Sequence, residues 1–241
     1  NFNFKNNIKD NLLRIFIIYS LLSIGILSLL NLSGIRLFNS LNLSMSLISG
    51  GGFLPTESLN KIISTNFQKV IMIFSLILSF VNFYLVLNLF NKNTLIREHK
   101  EDFYLIILSI IFCFLIYFYN YDGLDIIISV TSSLANSGLT LMKPDNNLSL
   151  YFLLITMIGG SLISNSSGIK FTRLYILLKI TSLEIIKLIS PNSIINKTIF
   201  GSDKKILDDH VKISFLIFIS FFLSLFILSS FLVLDYIGFE K

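Results

Sequence analysis

Phe38-Asn-Ser-Leu-Asn-Leu-Ser-Met-Ser-Leu-Ile-Ser-Gly-Gly-Gly-Phe53 decides the reading of this chain. It falls largely within a moderately apolar stretch, Ile35 to Ile48, that is too short and too rich in Ser and Asn to cross a bilayer. Three glycines follow, then Phe53, Pro55 and Glu57. Much longer apolar runs lie on either side: about Leu12 to Leu30 before it, and Val70 to Phe90 after it, 21 residues without a formal charge. A half-length segment between two spans is explained if it enters the membrane, stops midway and returns as extended chain. Backbone exposed to lipid leaves N–H and C=O groups without partners, so such a return is tolerated only where it is buried in protein or lines a wet path. A glycine loop at that depth implies a pore or a binding site. The competing reading is a helix lying flat at the interface, which needs no glycine after it.

The same order recurs. Phe103 to Tyr119 is a 17-residue span, Tyr121-Asp-Gly-Leu-Asp125 breaks it, and Ile126 to Ala135 is again short and moderately apolar. Asn136-Ser-Gly-Leu-Thr140 is polar and contains glycine, Lys143 to Asn147 reads as a solvent loop, and Leu148 opens another apolar run. An offset of 86 residues lays Gly138 on Gly52, Leu124 on Phe38 and Asp125 on Asn39. The letters match weakly and the pattern matches well: span, half-length segment, glycine loop, span. Internal repeats of this kind set the architecture.

Composition agrees. Hydrophobic residues make up 54% of the 241 residues and charged ones 14%, against roughly 25% charged in an ordinary soluble domain. A further run, Ile213 to Leu234, has 22 residues. The expected fold class is an all-α integral membrane protein of about five transmembrane helices plus two re-entrant half-helices. The net charge of +5 does not indicate nucleic acid. Of the 19 basic residues, 14 cluster at the chain start, in the loop holding Lys92, Arg97 and Lys100, and in the stretch from Lys170 to Lys212. Cytoplasmic loops are rich in Lys and Arg. Residues near Lys92–Lys100 and Lys187–Lys205 are therefore expected in the cytoplasm, and those near Thr56–Lys61 and Lys143–Asn147 outside.

Cys113 is the single cysteine, so no intrachain disulfide forms, and His99 and His210 read as solvated loop residues rather than metal ligands. The chain starts at Asn1 without a cleavable signal pattern and reads as an excerpt of a longer protein.

The glycine loops suit a cation. Ion filters replace hydration with backbone carbonyls, and carbonyls that all point one way need dihedrals that glycine supplies. Gly50, Gly51 and Gly52 in one loop, and Asn136, Ser137 and Gly138 in the other, are the candidate filter residues. A half-helix before each loop would aim its C-terminal end, partly negative, at mid-membrane. Neither loop contains an acidic residue. That fits a weakly hydrated monovalent cation, since calcium and magnesium sites carry carboxylates.

The segment from Phe38 to Phe53 resembles the pore helix and filter of the second repeat in Trk-type potassium transporters, which are similar to the Ktr and HKT proteins. Ser79-Phe-Val-Asn-Phe83 resembles the Asn-Phe signature of the inner helix after that filter, and Asn136-Ser-Gly-Leu-Thr140 falls where the third repeat has its filter. Gly159-Gly-Ser-Leu-Ile-Ser-Asn-Ser-Ser-Gly-Ile-Lys170, followed by Arg173, resembles the family's break in the third inner helix. Ser190-Pro-Asn and the loop to Asp208-Asp-His210 look like the cytoplasmic link to the fourth repeat. The likeness is collinear over nearly the whole chain. It implies a second pore repeat at 1–91, a third with a broken inner helix at 92–189, and at 190–241 the link and outer helix of a fourth. The remaining repeats would supply two more filter strands.

The sequence departs from the family at Leu139, usually Phe, at Asn136 and Ser137, and at Ile163, Ser166 and Ser167, which are commonly glycine. The implied function is potassium uptake across the cytoplasmic (inner) membrane, with potassium bound by filter carbonyls and no cofactor in this chain. The alternative is a non-conducting membrane scaffold descended from such a transporter. A membrane enzyme is disfavoured, because the membrane-depth segments hold no Asp–His, Ser–Lys or metal-ligand cluster. The resemblance also implies membrane lipid as surroundings, a homodimer, and a nucleotide-binding regulatory subunit docked on the basic face. Anionic lipid explains the same lysines. The polar break supplies the candidate gate: Gly159, Gly160 and Gly168 as hinges, Ser161, Ser164, Asn165, Ser166 and Ser167 facing water, and Lys170 at its end.

Overall fold

The computed structural model describes residues 8–82, 85, 100–142, 146–190, 198–200 and 206–234. Its described elements are helices: α1 (Ile8–Leu32), α2 (Leu37–Ser49), a 3₁₀ turn (Leu59–Lys61), α3 (Asn66–Phe80), α4 (Lys100–Tyr117), α5 (Gly123–Ala135), α6 (Asn146–Ile158), α7 (Phe171–Ile189) and α8 (Asp208–Leu234). Two described stretches, Ile15–Leu32 and Asp208–Leu232, are long and apolar enough to cross a bilayer on length and composition.

The half-length segments are helices of 13 residues each, and the 86-residue offset maps one onto the other end for end. At 1.5 Å per residue each is about 20 Å long, short of the ~30 Å hydrocarbon core. Polar residues are accommodated inside them because hydroxyls bond back to the preceding turn. In α5, Ser129 Oγ donates to the Asp125 carbonyl at 2.9 Å and Ser133 Oγ to that of Ser129 at 2.8 Å. Among the described elements helix α5 is the most enclosed, packed by α3, α4 and α6, with Ser129 through Ala135 all buried. Helix α2 packs on α1 and α3.

Several boundaries differ from the sequence expectation: α3 ends at Phe80, inside the Val70–Phe90 run, where Val81 turns extended, and Asn146 and Asn147, read as solvent loop, are helical. The break read at Tyr121 to Asp125 is shorter, since Gly123, Leu124 and Asp125 are helical. The Asp122 carbonyl accepts the Asp125 and Ile126 amides at 3.0 Å each and starts the helix early. In α4, likewise, Lys100, Glu101 and Asp102 are helical ahead of Phe103. The far end of the Val70–Phe90 run lies outside the described residues from 86 to 90, as do Phe83, His99 and Lys143.

Helix α3 opens with a reciprocal cap. The Gln68 amide donates to Thr65 Oγ1 at 3.3 Å, and the Thr65 amide donates to Gln68 Oε1 at 3.2 Å. Gln68 Nε2 reaches the Ser33 carbonyl at 3.2 Å, tying α3 to the turn after α1. Between α3 and α5, Lys69 Nζ and Asp125 Oδ1 stand 2.6 Å apart. Helix α8 touches α7 and exposes apolar side chains such as Phe215, Leu216, Phe226 and Phe231. Its Ser220, Ser224, Ser229 and Ser230 hydroxyls donate to carbonyls three residues back. Few side-chain polar groups are thus left for lipid to desolvate.

Candidate functional site

The two glycine loops adopt the same backbone path. Helix α2 ends on Gly50 (φ 66°) and α5 on Asn136 (φ 55°), both left-handed. The next left-handed residues are Gly52 (φ 68°) and Gly138 (φ 66°), again 86 apart. The Gly51 amide donates to the Ser46 carbonyl at 3.1 Å, and the Ser137 amide to the Ser132 carbonyl at 3.0 Å, closing each helix alike. Asn136 takes the place that glycine holds in the first loop because asparagine tolerates the left-handed region better than most residues.

The loops also touch. A Cβ on Gly50 would lie 3.5 Å from the Ala135 carbonyl oxygen and 3.7 Å from that of Asn136. A Cβ on Gly52 would fall far inside van der Waals contact with the Ser137 carbonyl oxygen. Gly52 is therefore required twice, by its dihedral and by its neighbour. Ser137 is buried, and its Oγ lies 3.0 Å from Ser132 Oγ. Leu139, the departure from the family's Phe, is a buried packing residue.

The break in the long span is real. Helix α6 stops at Ile158 and α7 starts at Phe171. The ends of the loop between them meet: the Ile169 amide donates to the Met157 carbonyl at 3.0 Å, and the Phe171 amide to the Gly160 carbonyl at 3.2 Å. Gly160 is pressed against the Phe80 carbonyl and Ser166 Oγ so closely that a Cβ has no room. Its position is a close approach rather than a free hinge. The expectation that all five polar loop residues face water is corrected. Ser167 is exposed and Ser164 and Asn165 are half-buried, but Ser161 and Ser166 are buried. The reason is local: Ser166 Oγ accepts the Gly160 amide at 2.8 Å and so folds inward. Lys170 Nζ turns back onto the loop, donating to the Ser164 carbonyl at 3.1 Å and to that of Ser166.

Three anchors escaped the sequence reading. The Ser161 amide donates to the Phe80 carbonyl at the end of α3, 2.9 Å away. The Leu162 amide donates to Glu101 Oε1 in α4 at 2.9 Å. Asn165 Nδ2 donates to the Ile48 carbonyl in the last turn of α2 at 2.7 Å. None leaves a local pattern, because each joins residues at least 61 positions apart. A cavity of about 280 Å³ lies beside the second loop and the break, lined by Asn136, Met157, Ser167, Gly168, Phe221 and Leu225. That is room for several waters.

A multi-pass helical membrane protein with a repeated unit of span, half-helix and left-handed loop is the class that these features define. Within that class, the chain is similar to Trk-type potassium transporters in both sequence and fold. It is 28% identical over 182 residues to an uncharacterized cation transporter of Methanocaldococcus jannaschii, covering 74% of this chain and 37% of that one. It is 29% identical to the Trk system potassium uptake protein TrkG of Escherichia coli, covering 97% of this chain and 50% of that one. In fold it matches the potassium transporter TrkH from Vibrio parahaemolyticus with a TM-score of 0.79, at 19% identity, over 93% of this chain and 51% of that one. No family model matches. The chain spans half or less of the length of the curated relatives that it matches.

Proposed function

We propose that this chain forms two adjoining quarters of a potassium-uptake pore, with Gly50–Gly52 and Asn136–Gly138 as neighbouring strands of a carbonyl filter and residues 159–168 as the gate beneath it. The observation that carries the reading is the shared backbone of the two loops, left-handed at every second residue and in direct contact. Such alternation rotates successive peptide planes, so that carbonyls line one side instead of alternating as in a strand. Each half-helix ends at its loop, where its partial negative charge favours a cation. Similarity to TrkG, a potassium uptake protein, points to the same ion. The domain division follows: 1–91 and 92–189 are successive pore repeats, and 190–241 leads into a further one. Other repeats complete the ring, lipid surrounds it, and the homodimer and nucleotide-binding regulatory subunit implied by the resemblance belong to this same proposal.

Expressing the complete gene in a host that lacks its own potassium uptake tests the reading. Rubidium uptake above the empty-vector level, with preference over sodium, is the expected result. Protein that reaches the membrane and moves no rubidium would favour the non-conducting scaffold.

A further inference from the structure

The loop between α6 and α7 is held in two different ways. Its N-terminal end is fastened to the body of the protein through its own backbone, by the Ser161 amide on the Phe80 carbonyl and the Leu162 amide on Glu101 Oε1. Gly160, packed without room for a Cβ, adds a steric anchor there. The middle of the loop reaches α2 by a side chain. Asn165 Nδ2 to the Ile48 carbonyl, 2.7 Å, is the one hydrogen bond between this loop and α2 among the described residues.

The acceptor is informative. Carbonyls in the last turn of a helix have no partner within it. At the end of α2, the Gly50 and Gly51 amides both go to the Ser46 carbonyl, and the Ile48 carbonyl is met by Asn165. This is the negative end of the helix that leads into the first glycine loop. An amide N–H there occupies an acceptor of the kind that a cation would otherwise find.

We infer that Asn165 is a positioning residue that latches the loop shut against α2, its bond to the Ile48 carbonyl being the contact that opening must break. Breaking it frees the middle of the loop and leaves the anchored end in place, so the loop swings rather than unfolds. This rests on the gate reading above. One side-chain hydrogen bond has a net worth that shifts an equilibrium about 2- to 10-fold, which is a range suited to switching.

The test is rubidium uptake by the complete protein in the uptake-deficient host, with membrane levels measured by immunoblot. Asn165→Ala removes the donor. Asn165→Asp keeps the size and places an acceptor against an acceptor. Deletion of residues 161–167 serves as the control for the gate itself. Both substitutions are expected to raise maximal uptake about 2- to 10-fold; for Asn165→Ala, which adds no charge near the filter, the half-saturating rubidium concentration should be little changed. A residue needed merely for folding would lower uptake instead. If the deletion raises uptake and both substituted proteins, at wild-type levels, do not, the latch is wrong and the gate stands. A deletion that leaves uptake unchanged overturns the gate and the latch together. A change confined to the half-saturating concentration also overturns the latch, as does failure of both substituted proteins to reach the membrane, which would make the bond structural.

Discussion

Lys69 and Asp125 face each other at 2.6 Å, one in the first turn of α3 and the other in the first turn of α5. The pair joins the helix that follows the first glycine loop to the half-helix that precedes the second. Both side chains are mostly buried, at 17% and 19% exposure. Among the described residues Asp125 Oδ1 takes no aligned hydrogen bond, so the contact with Lys69 is chiefly electrostatic.

Removing one partner leaves the other charge poorly solvated. Lys69→Ala is expected to destabilise the complete protein in detergent by about 1–3 kcal/mol, less than a fully buried pair because some solvent reaches it. Exchanging the two, Lys69→Asp with Asp125→Lys, should recover part of the loss. A thermal shift assay that finds the single variant as stable as wild type removes the pair from the account of how the repeats are held.

Gly52 and Gly138 match by sequence offset but not by surroundings. Among the described residues nothing lies within 4 Å of a Cβ added at Gly138, whereas at Gly52 the Ser137 carbonyl blocks it. Gly138→Ser carries mainly the left-handed backbone penalty of roughly 1–2 kcal/mol. Gly52→Ser adds a backbone clash. Rubidium uptake and the rubidium-to-sodium ratio should therefore fall for both and fall further for Gly52→Ser. Equal wild-type behaviour of both would remove these loops from the filter.

Lys170 clasps its own loop through the Ser164 and Ser166 carbonyls and hydroxyls. Lys170→Met keeps the stem and loses every donor. Opening should become easier, so basal uptake should rise, while Lys170→Arg, which retains donors, should stay nearer wild type. Uptake by Lys170→Met that is no higher than wild type, at equal membrane levels, would show that the clasp does not restrain the gate.

The topology is open to direct labelling. Glu57 is exposed in the loop between α2 and α3, and Lys187 is exposed near the end of α7. In a Cys113→Ser background, a cysteine at Glu57 should react with an impermeant maleimide in intact cells, and one at Lys187 only after permeabilisation. The reverse pattern would invert the orientation read from the basic loops.

How much was legible in the residues follows from the range of each interaction. Half-length helices at α2 and α5 were readable because hydrophobic run length and the stop at Gly50 and Asn136 are local. Helix α5 starts three residues before the apolar run Ile126–Ala135 because hydropathy reads Gly123 and Asp125 as a break, while the Asp122 carbonyl takes the Asp125 and Ile126 amides and the helix dipole favours an acid at Asp125. The polar loop was located correctly and its interior was not. Ser161 and Ser166 look like solvent residues by letter, but Ser166 turns inward to accept the Gly160 amide, and the Ser161 amide is drawn to the Phe80 carbonyl at the end of α3.

By itself the sequence determined that this is a membrane chain of repeated spans and half-spans, that two glycine-bearing loops correspond at an offset of 86, and that one span is broken after Ile158. These follow from period, length and the dihedral preferences of single residues, all set within a few positions along the chain. Only the tertiary structure decided that Gly52 abuts the Ser137 carbonyl, that Lys69 meets Asp125, and that Asn165 bonds to Ile48, 117 residues away. Such pairings depend on which helix faces pack together, and that is a balance over many distant contacts that no short stretch of residues encodes.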